Sequence, residues 1–429
     1  MVFELGVGRM PLAEIAEAVG AKGVTSREVP KRIVTDSREV REGDLFCALR
    51  GSTDGHRYIP EAKKNGAAAV LCEEKADVSL PMLTVPSTVN ALWAWASAAR
   101  EAHCRCRYAA ITGSVGKTTT KCVIAETLRQ DLKVFASEGN YNNGLGVPLS
   151  MLSVPKDTEI AILELGSNAM GEIVNLAKLV SPTDGIITAI GHAHIGAFGS
   201  LEGTAREKLG LLDGLRGGGN LFLKEGDPYL AEVKSSRHSV IYVKEASEVS
   251  DPAMRNALGF AAAFGKAVGL PPLQLKEGLC RAAQTEVRRR IYRYGDICVI
   301  DDSYNASPEA MTAAFAFLKA CEGRRKILVL GDMLELGAAS EELHKEVGAN
   351  AAFADLIYLF GQNTNDYRSG MRGASAAVLP PYATHEVWAD AIFRTLRAGD
   401  TVLIKASHGL HGERLTAALC KRLSQKTEQ

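Results

Sequence analysis

Thr112-Gly113-Ser114-Val115-Gly116-Lys117-Thr118-Thr119 follows the apolar run Tyr108-Ala109-Ala110-Ile111 and leads into a helix-forming stretch from Lys121 to Leu128. A strand, a glycine-rich turn and a helix N-terminus in that order form a phosphate cradle. The glycines let backbone N–H groups converge on phosphate oxygens, and the helix end adds positive potential. In such a cradle Lys117 faces the β- and γ-phosphates and the Thr118 hydroxyl is placed to ligate Mg²⁺. The spacing is G-x-x-G-K-T-T, with Ile111 standing where the longer phosphate-loop pattern has its first glycine. Gly113, Ser114, Gly116, Lys117, Thr118 and Thr119 are therefore the expected nucleotide-binding residues, with ATP as the nucleotide.

Outward from this loop, short β-branched runs alternate with longer helix-forming segments, the pattern of βαβ units and parallel sheets covered on both faces. The runs are Tyr108–Thr112, Ile160–Leu165, Gly185–Ile190, Cys298–Ile300, Lys326–Leu330, Leu356–Phe360 and Thr401–Ile404. Polar residues sit where they end: Glu164, His192 and His194, Asp301 and Asp302, Asp332, and Lys405. Ligands of open α/β sheets bind outside the carboxyl ends of the strands, so this row describes a site. A chain of 429 residues exceeds what one core serves, and the sequence divides into three α/β segments. Residues 1–105 hold mixed short strands and helices, residues 106–285 form the central phosphate-loop, parallel-sheet domain, and residues 286–429 restart a Rossmann-like strand–helix series after a basic stretch.

Fifty basic and fifty acidic residues cancel, which leaves no long-range pull toward nucleic acid or an anionic membrane. No run approaches the length of a membrane span and Met1-Val2-Phe3-Glu4 does not open a secretory signal, so a cytoplasmic protein with small-molecule partners, working as a monomer, is expected. Nine cysteines lie mostly inside apolar segments, as at Cys47, Cys122, Cys298 and Cys420, and read as buried thiols. Cys104 and Cys106 lack a second pair at zinc-like spacing.

Several strand-end residues carry specific chemistry. Glu164 closes an apolar run, where a carboxylate is costly to bury unless it meets a cation such as a Mg²⁺ shared with Thr118. One or both of His192 and His194 can ligate metal, although a loop histidine is also a common hydrogen-bonded structural residue. Ser307 and Pro308 have the N-cap and first-turn identities of a helix start. The adjacent carboxylates Asp301 and Asp302 suit a ribose hydroxyl, a metal-bound water or an incoming amine, and Lys405 suits an anionic substrate.

Taken together these stretches resemble the Mur ligase family. The resemblance rests on Thr35-Asp36-Ser37-Arg38, Gly43-Asp44-Leu45-Phe46, Asp54-Gly55-His56, the phosphate loop, Gly139-Asn140-Tyr141-Asn142-Asn143, Glu164-Leu165-Gly166-Ser167-Asn168, Asp301 to Pro308 and Gly331-Asp332-Met333-Leu334-Glu335-Leu336-Gly337. It implies a UDP-sugar-binding first domain with Ser37 and Arg38 on substrate, a central ATPase domain, and a last domain that brings the amine. It also implies an ATP-dependent ligase joining D-alanyl-D-alanine to UDP-N-acetylmuramoyl-tripeptide through an acyl phosphate. In that scheme Lys117, Lys208 and His194 are catalytic, Thr118 and Glu164 hold one Mg²⁺, and His194 with a carbamylated Lys208 holds a second. Asn142, Asn143, Asn168, Asn305 and Lys405 contact substrates, while Asn256 and Asp302 contact the nucleotide.

The sequence also departs from the family pattern. Val243 runs quickly to Pro252-Ala253-Met254-Arg255-Asn256, keeping one of two expected asparagines, and Ala283-Gln284 stands where Gly-Arg is expected, with Arg281 or Arg288 as possible replacements. These departures leave open a different peptide or amine substrate, or a nucleotide-binding relative with little catalysis.

Overall fold

The computed structural model describes residues 1–247, 249, 251–285, 289–381 and 383–427. Three sheets follow one another along the chain among these residues. The first, in order β1-β2-β3-β4-β5, comprises β1 (Val2–Glu4), β2 (Arg32–Val34), β3 (Leu45–Cys47), β4 (Ala69–Cys72) and β5 (Met82–Thr84), with only β1 antiparallel to its neighbour. The second, ordered β11-β10-β9-β6-β8-β7, is parallel throughout: β6 (Arg107–Thr112), β7 (Val134–Ala136), β8 (Ile160–Glu164), β9 (Asp184–Ile187), β10 (Asn220–Lys224) and β11 (Ser239–Val243). The third, ordered β12-β13-β17-β14-β15-β16, is parallel except for its edge strand β12 (Arg290–Tyr294). Its other strands are β13 (Ile297–Asp301), β14 (Arg325–Leu330), β15 (Leu356–Leu359), β16 (Ala376–Val378) and β17 (Asp400–Lys405).

The central strands β6, β8 and β9 are buried along nearly their whole length, because helices cover both faces and parallel pairing needs helical crossovers. That explains their unbroken apolar runs. Pairing register then sets the site: Ile111 lies opposite Glu164 and Thr112 opposite Ile187, so the loops after β6, β8 and β9 leave the sheet side by side.

The first two sheets are separate, but their cores are not. Helix Thr88–Ala102, capped by the Ser87 hydroxyl accepting from Asn90 N–H, buries Leu92, Trp95 and Ala96 in one apolar cluster with Leu152 and Leu163 of the central region. Trp93 Nε1 donates to the Gly144 carbonyl at 2.6 Å, and the Arg100 guanidinium lies over the Tyr108 ring. Against the sequence expectation of buried thiols, Cys280 is exposed and Cys122, Cys298 and Cys321 are only partly covered; Cys47 and Cys420 are buried, and Cys104 lies at the surface. Among the described residues no helix is long and apolar enough to cross a membrane.

Candidate active site

The glycine turn after β6 is fixed from below by the segment after β9. Ser114 N–H donates to the Ala189 carbonyl, Ser114 Oγ donates to the Gly191 carbonyl at 3.0 Å, and Thr188 Oγ1 donates to the Val115 carbonyl at 2.6 Å. Gly113 has φ +138° and a Cβ there would stand 2.1 Å from Thr188 Oγ1, while Gly116, at φ +82°, opens helix Lys117–Leu128. Both positions require glycine for conformation, and Gly113 for space as well. Lys117 Nζ donates to the Gly113 and Ser114 carbonyls at 2.7 and 3.4 Å, which holds its charge over the loop. Gly113→Ala is expected to cost about 1–3 kcal/mol of local conformational energy and to weaken ADP binding more than it lowers the melting temperature. Titration calorimetry beside a thermal melt checks this; unchanged ADP affinity would show that the turn does not form the nucleotide seat.

Glu164, at the end of β8, is 2% exposed. Its Oε2 accepts from Thr118 Oγ1 at 2.6 Å and its Oε1 from Asn142 Nδ2 at 3.0 Å. The cation that the sequence reading assigned to this carboxylate was a metal ion. The protein supplies one itself: the buried Lys121 ammonium lies 3.3 Å from Glu164 Oε2. Lys208, only 1% exposed, sits on helix Leu201–Leu209 and donates to Ser167 Oγ at 2.7 Å. Its neighbour Glu207 pins that helix by accepting from the Gly171 and Ile173 N–H groups at 2.6 and 2.8 Å, so it caps an N-terminus that has no side-chain cap of its own. Desolvation, reinforced by the nearby Lys117 charge and opposed by Glu207 and Glu172, pulls the Lys208 pKa down to about 7.

His192 and His194 leave a loop, since β9 already ends at Ile187; strand alternation therefore does not orient them. Each reaches a carboxylate of the third sheet's domain. His192 Nδ1 and N–H meet Glu309 Oε1 at 2.6 and 3.0 Å, and His194 Nδ1 pairs with Glu335. Burial lowers the His194 pKa, with Glu335 opposing that shift and Lys117 and Lys208 reinforcing it. Both His194 and Glu335 have left-handed backbones, at φ +59° and +67°, and Gly196 N–H donates to the Glu335 carbonyl at 3.1 Å. The two domains thus close on one another here.

Across the gap, Ser307 caps helix Pro308–Ala320 through the Ala310 N–H, as its sequence position implied. Asp301 is taken up locally by Ser303, at 2.5 Å to the hydroxyl, whereas Asp302 Oδ2 meets Lys405 Nζ at 3.0 Å and Arg289 Nε at 3.3 Å. Lys405 also donates to the Asn305 carbonyl at 3.0 Å. Arg289 further pairs with Asp251 at 2.5 Å and stacks on Phe317, joining the two domains. Arg288 lies outside the described residues, and Arg281 is not among the residues lining the cleft, although Gln284 is.

These loops border a cleft of about 1010 Å³. That is the upper end of single-ligand pockets, so it has room for a nucleotide and an acceptor together. Ser114, Gly116, Lys117, Thr119, Glu164 and His194 reach it from the central sheet, as do Asn142, Asn143, Asn168, Lys208 and Asn256; Asp302, Asn305 and Lys405 reach it from the third. Asn143 Oδ1 also accepts from Gly146 N–H at 2.9 Å, and Asn168 N–H donates to Glu172. Asn256 Nδ2 donates to the Thr188 carbonyl, and its Oδ1 is buried with no hydrogen-bond partner among the described residues, ready to accept from a ligand N–H. Ser37 and Arg38 do not line this cleft; in the first domain Ser37 Oγ donates to Glu61 at 2.6 Å and Arg38 pairs with Asp36 at 2.6 Å. Sequence reasoning missed Lys121, Arg289, Glu309 and the role of Glu335. Among these, Arg289 had a signal in its basic run beside the Asp302 strand, and Glu335 in the 331–337 stretch that carries it.

Comparison with known proteins agrees across the chain. Residues 31–112 match the Mur ligase family catalytic domain, residues 111–258 the Mur ligase middle domain, and residues 286–408 the Mur ligase glutamate ligase domain. The UDP-N-acetylmuramoyl-tripeptide–D-alanyl-D-alanine ligase of Bacillus subtilis (strain 168) is 31% identical over 449 aligned residues, covering 95% of this chain and 97% of that one. A crystal structure of MurF from Acinetobacter baumannii superposes with a TM-score of 0.87 at 27% identity, covering 96% of this chain and 99% of that chain. The MurF ligase of Thermotoga maritima in complex with ADP gives 0.78 at 26% identity, over 92% and 98%.

Proposed function

From the premise that this chain belongs to the Mur ligase family, we infer that its cleft performs ATP-dependent amide synthesis, joining D-alanyl-D-alanine to UDP-N-acetylmuramoyl-tripeptide in peptidoglycan precursor assembly. The carrying observation is one cleft in which the Lys117 loop and Glu164, the carboxylate bonded to Thr118, face Asp302, Asn305 and Lys405 of the last domain. Nucleotide chemistry and amine delivery thereby share a single space.

In the reaction, a carboxylate oxygen of the tripeptide attacks the γ-phosphorus and the bond to ADP breaks. The dipeptide amine then attacks the acyl carbon, phosphate leaves, and the nitrogen gives up a proton. Lys117 neutralises charge that shifts onto the β–γ bridge. Asn256 accepts from the base of the nucleotide, and Asn142, Asn143, Asn168 and Asn305 hold the peptides by uncharged hydrogen bonds. Asp302, with its charge shared between Lys405 and Arg289, is set to meet a ribose hydroxyl, and Ser37 with Arg38 meets the UDP moiety. Arg289 restores to the cleft a guanidinium that Gln284 lacks.

Mg²⁺ fits the donors present, since Thr118 Oγ1 and a Glu164 oxygen are hard oxygen ligands that would hold it. There it would screen the phosphate charge. His194 and a carbamylated Lys208 would take a second ion. ATP with a UDP-linked substrate supports a cytoplasmic setting.

Purified protein with ATP and Mg²⁺ is expected to release phosphate only when both UDP-N-acetylmuramoyl-tripeptide and D-alanyl-D-alanine are present, with mass spectrometry showing the pentapeptide product. Release that ignores the dipeptide, or needs a different amine, would refute the assigned substrate pair.

A further inference from the structure

Lys121 is 2% exposed and lies one helical turn beyond Thr118, and both side chains address the same oxygen, Glu164 Oε2, at 3.3 and 2.6 Å. Residues three apart share a helix face, so this convergence is built into helix Lys117–Leu128. Ser137 completes the arrangement: its hydroxyl accepts from Glu164 N–H at 3.1 Å and lies 3.5 Å from Lys121 Nζ. The carboxylate that would hold a metal is therefore already neutralised by a buried cation. Lys117, a second cation, stands at the start of the same helix and lines the same cleft. Among the described residues, no three His, Cys, Asp or Glu groups converge to hold a metal ion.

A free divalent cation arriving at this place gains one carboxylate that is already satisfied and meets two ammonium groups. A nucleotide polyphosphate reverses that balance, because it brings several negative charges and the missing oxygen ligands. We propose that Lys121 is a positioning residue that holds Glu164 aimed at Thr118 while its charge denies the site to free Mg²⁺, so that the metal is held only together with nucleotide. This rests on the reading of the loop as a nucleotide seat.

Mn²⁺ provides the probe, its free concentration read by electron paramagnetic resonance over full-length protein. Without nucleotide, the wild type is expected to bind Mn²⁺ at least about tenfold more weakly than Lys121→Met, since a unit charge at this separation changes ion affinity by that order or more. By reciprocity, Mg²⁺ should strengthen ADP binding more in the wild type than in Lys121→Met, read by calorimetry. Lys121→Arg keeps the charge and should follow the wild type. Equal Mn²⁺ affinity in the wild type and a folded Lys121→Met overturns the proposal. Should that variant fail to fold, the wild type decides alone: Mn²⁺ binding as tight without ADP as with it overturns the proposal, and binding seen only with ADP supports it. No ADP binding under any condition overturns the nucleotide reading itself, and this inference with it.

Discussion

Lys117→Ala is expected to lower kcat by about 10³-fold or more with the fold retained. Lys117 is only partly buried, lines the cleft and donates to the Gly113 and Ser114 carbonyls of its own loop, so truncation removes a side chain from the rim of the cleft rather than from the core. What is lost is a charge placed where the γ-phosphate must shed electrons to ADP. Ground-state binding retains the backbone N–H groups of the turn and the Asn256 acceptor, so ADP affinity should fall far less than kcat. Lys117→Arg should not rescue: a planar guanidinium cannot reproduce a point charge seated 2.7 Å from the Gly113 oxygen. Steady-state phosphate release, ADP calorimetry and a thermal melt together check this. Loss of ADP binding and kcat in equal proportion would mean that Lys117 serves binding alone.

The phosphate loop was legible because all its determinants lie within eight consecutive residues, each with a local physical reason. The row of polar strand ends was legible for a similar reason, since a parallel strand delivers its last residue to one edge of the sheet. Charge partnership was not. Lys121, in Thr119-Thr120-Lys121, reads as a helix-surface lysine, and only the approach of β8 and Ser137 makes it the buried counter-charge of Glu164. Glu309, following a Ser-Pro cap, reads as an ordinary first-turn carboxylate; its histidine partner is 117 positions away in the chain. Arg289 is one of three consecutive arginines, and the start of the edge strand at Arg290 helps select which of them faces Asp251 and Asp302. Ser37 shows the converse. Its motif was legible, but its hydroxyl is engaged internally with Glu61.

Lys208 should be the second residue whose loss nearly silences the enzyme, with Lys208→Ala lowering kcat by about 10²–10³-fold. Its amine is buried and donates to the neutral Ser167 hydroxyl, and the adjacent Glu207 carboxylate is turned to the helix N-terminus at Gly171 and Ile173. Desolvation therefore dominates and brings the pKa from 10.5 to about 7, so above neutrality much of the amine is uncharged. An uncharged amine can add CO₂: the nitrogen bonds carbon, one proton leaves, and a carbamate anion replaces the neutral amine. Wild-type activity should accordingly fall when CO₂ is stripped from the buffer and return with bicarbonate, while Lys208→Ala should ignore both. With ¹³C-bicarbonate, a carbamate carbon signal should appear in the wild type and vanish in the variant. The same shift fixes a sign for stability. Between about pH 7 and 10.5 the unfolded chain holds a proton on Lys208 that the folded chain has released, so this residue's contribution to stability rises with pH across that window and is least favourable below it. Relative to Lys208→Met, wild-type melting temperature in CO₂-free buffer should improve from pH 6 toward pH 9. A parallel pair of curves would show that the buried amine keeps its proton throughout, and the carbamate would then have no route to form.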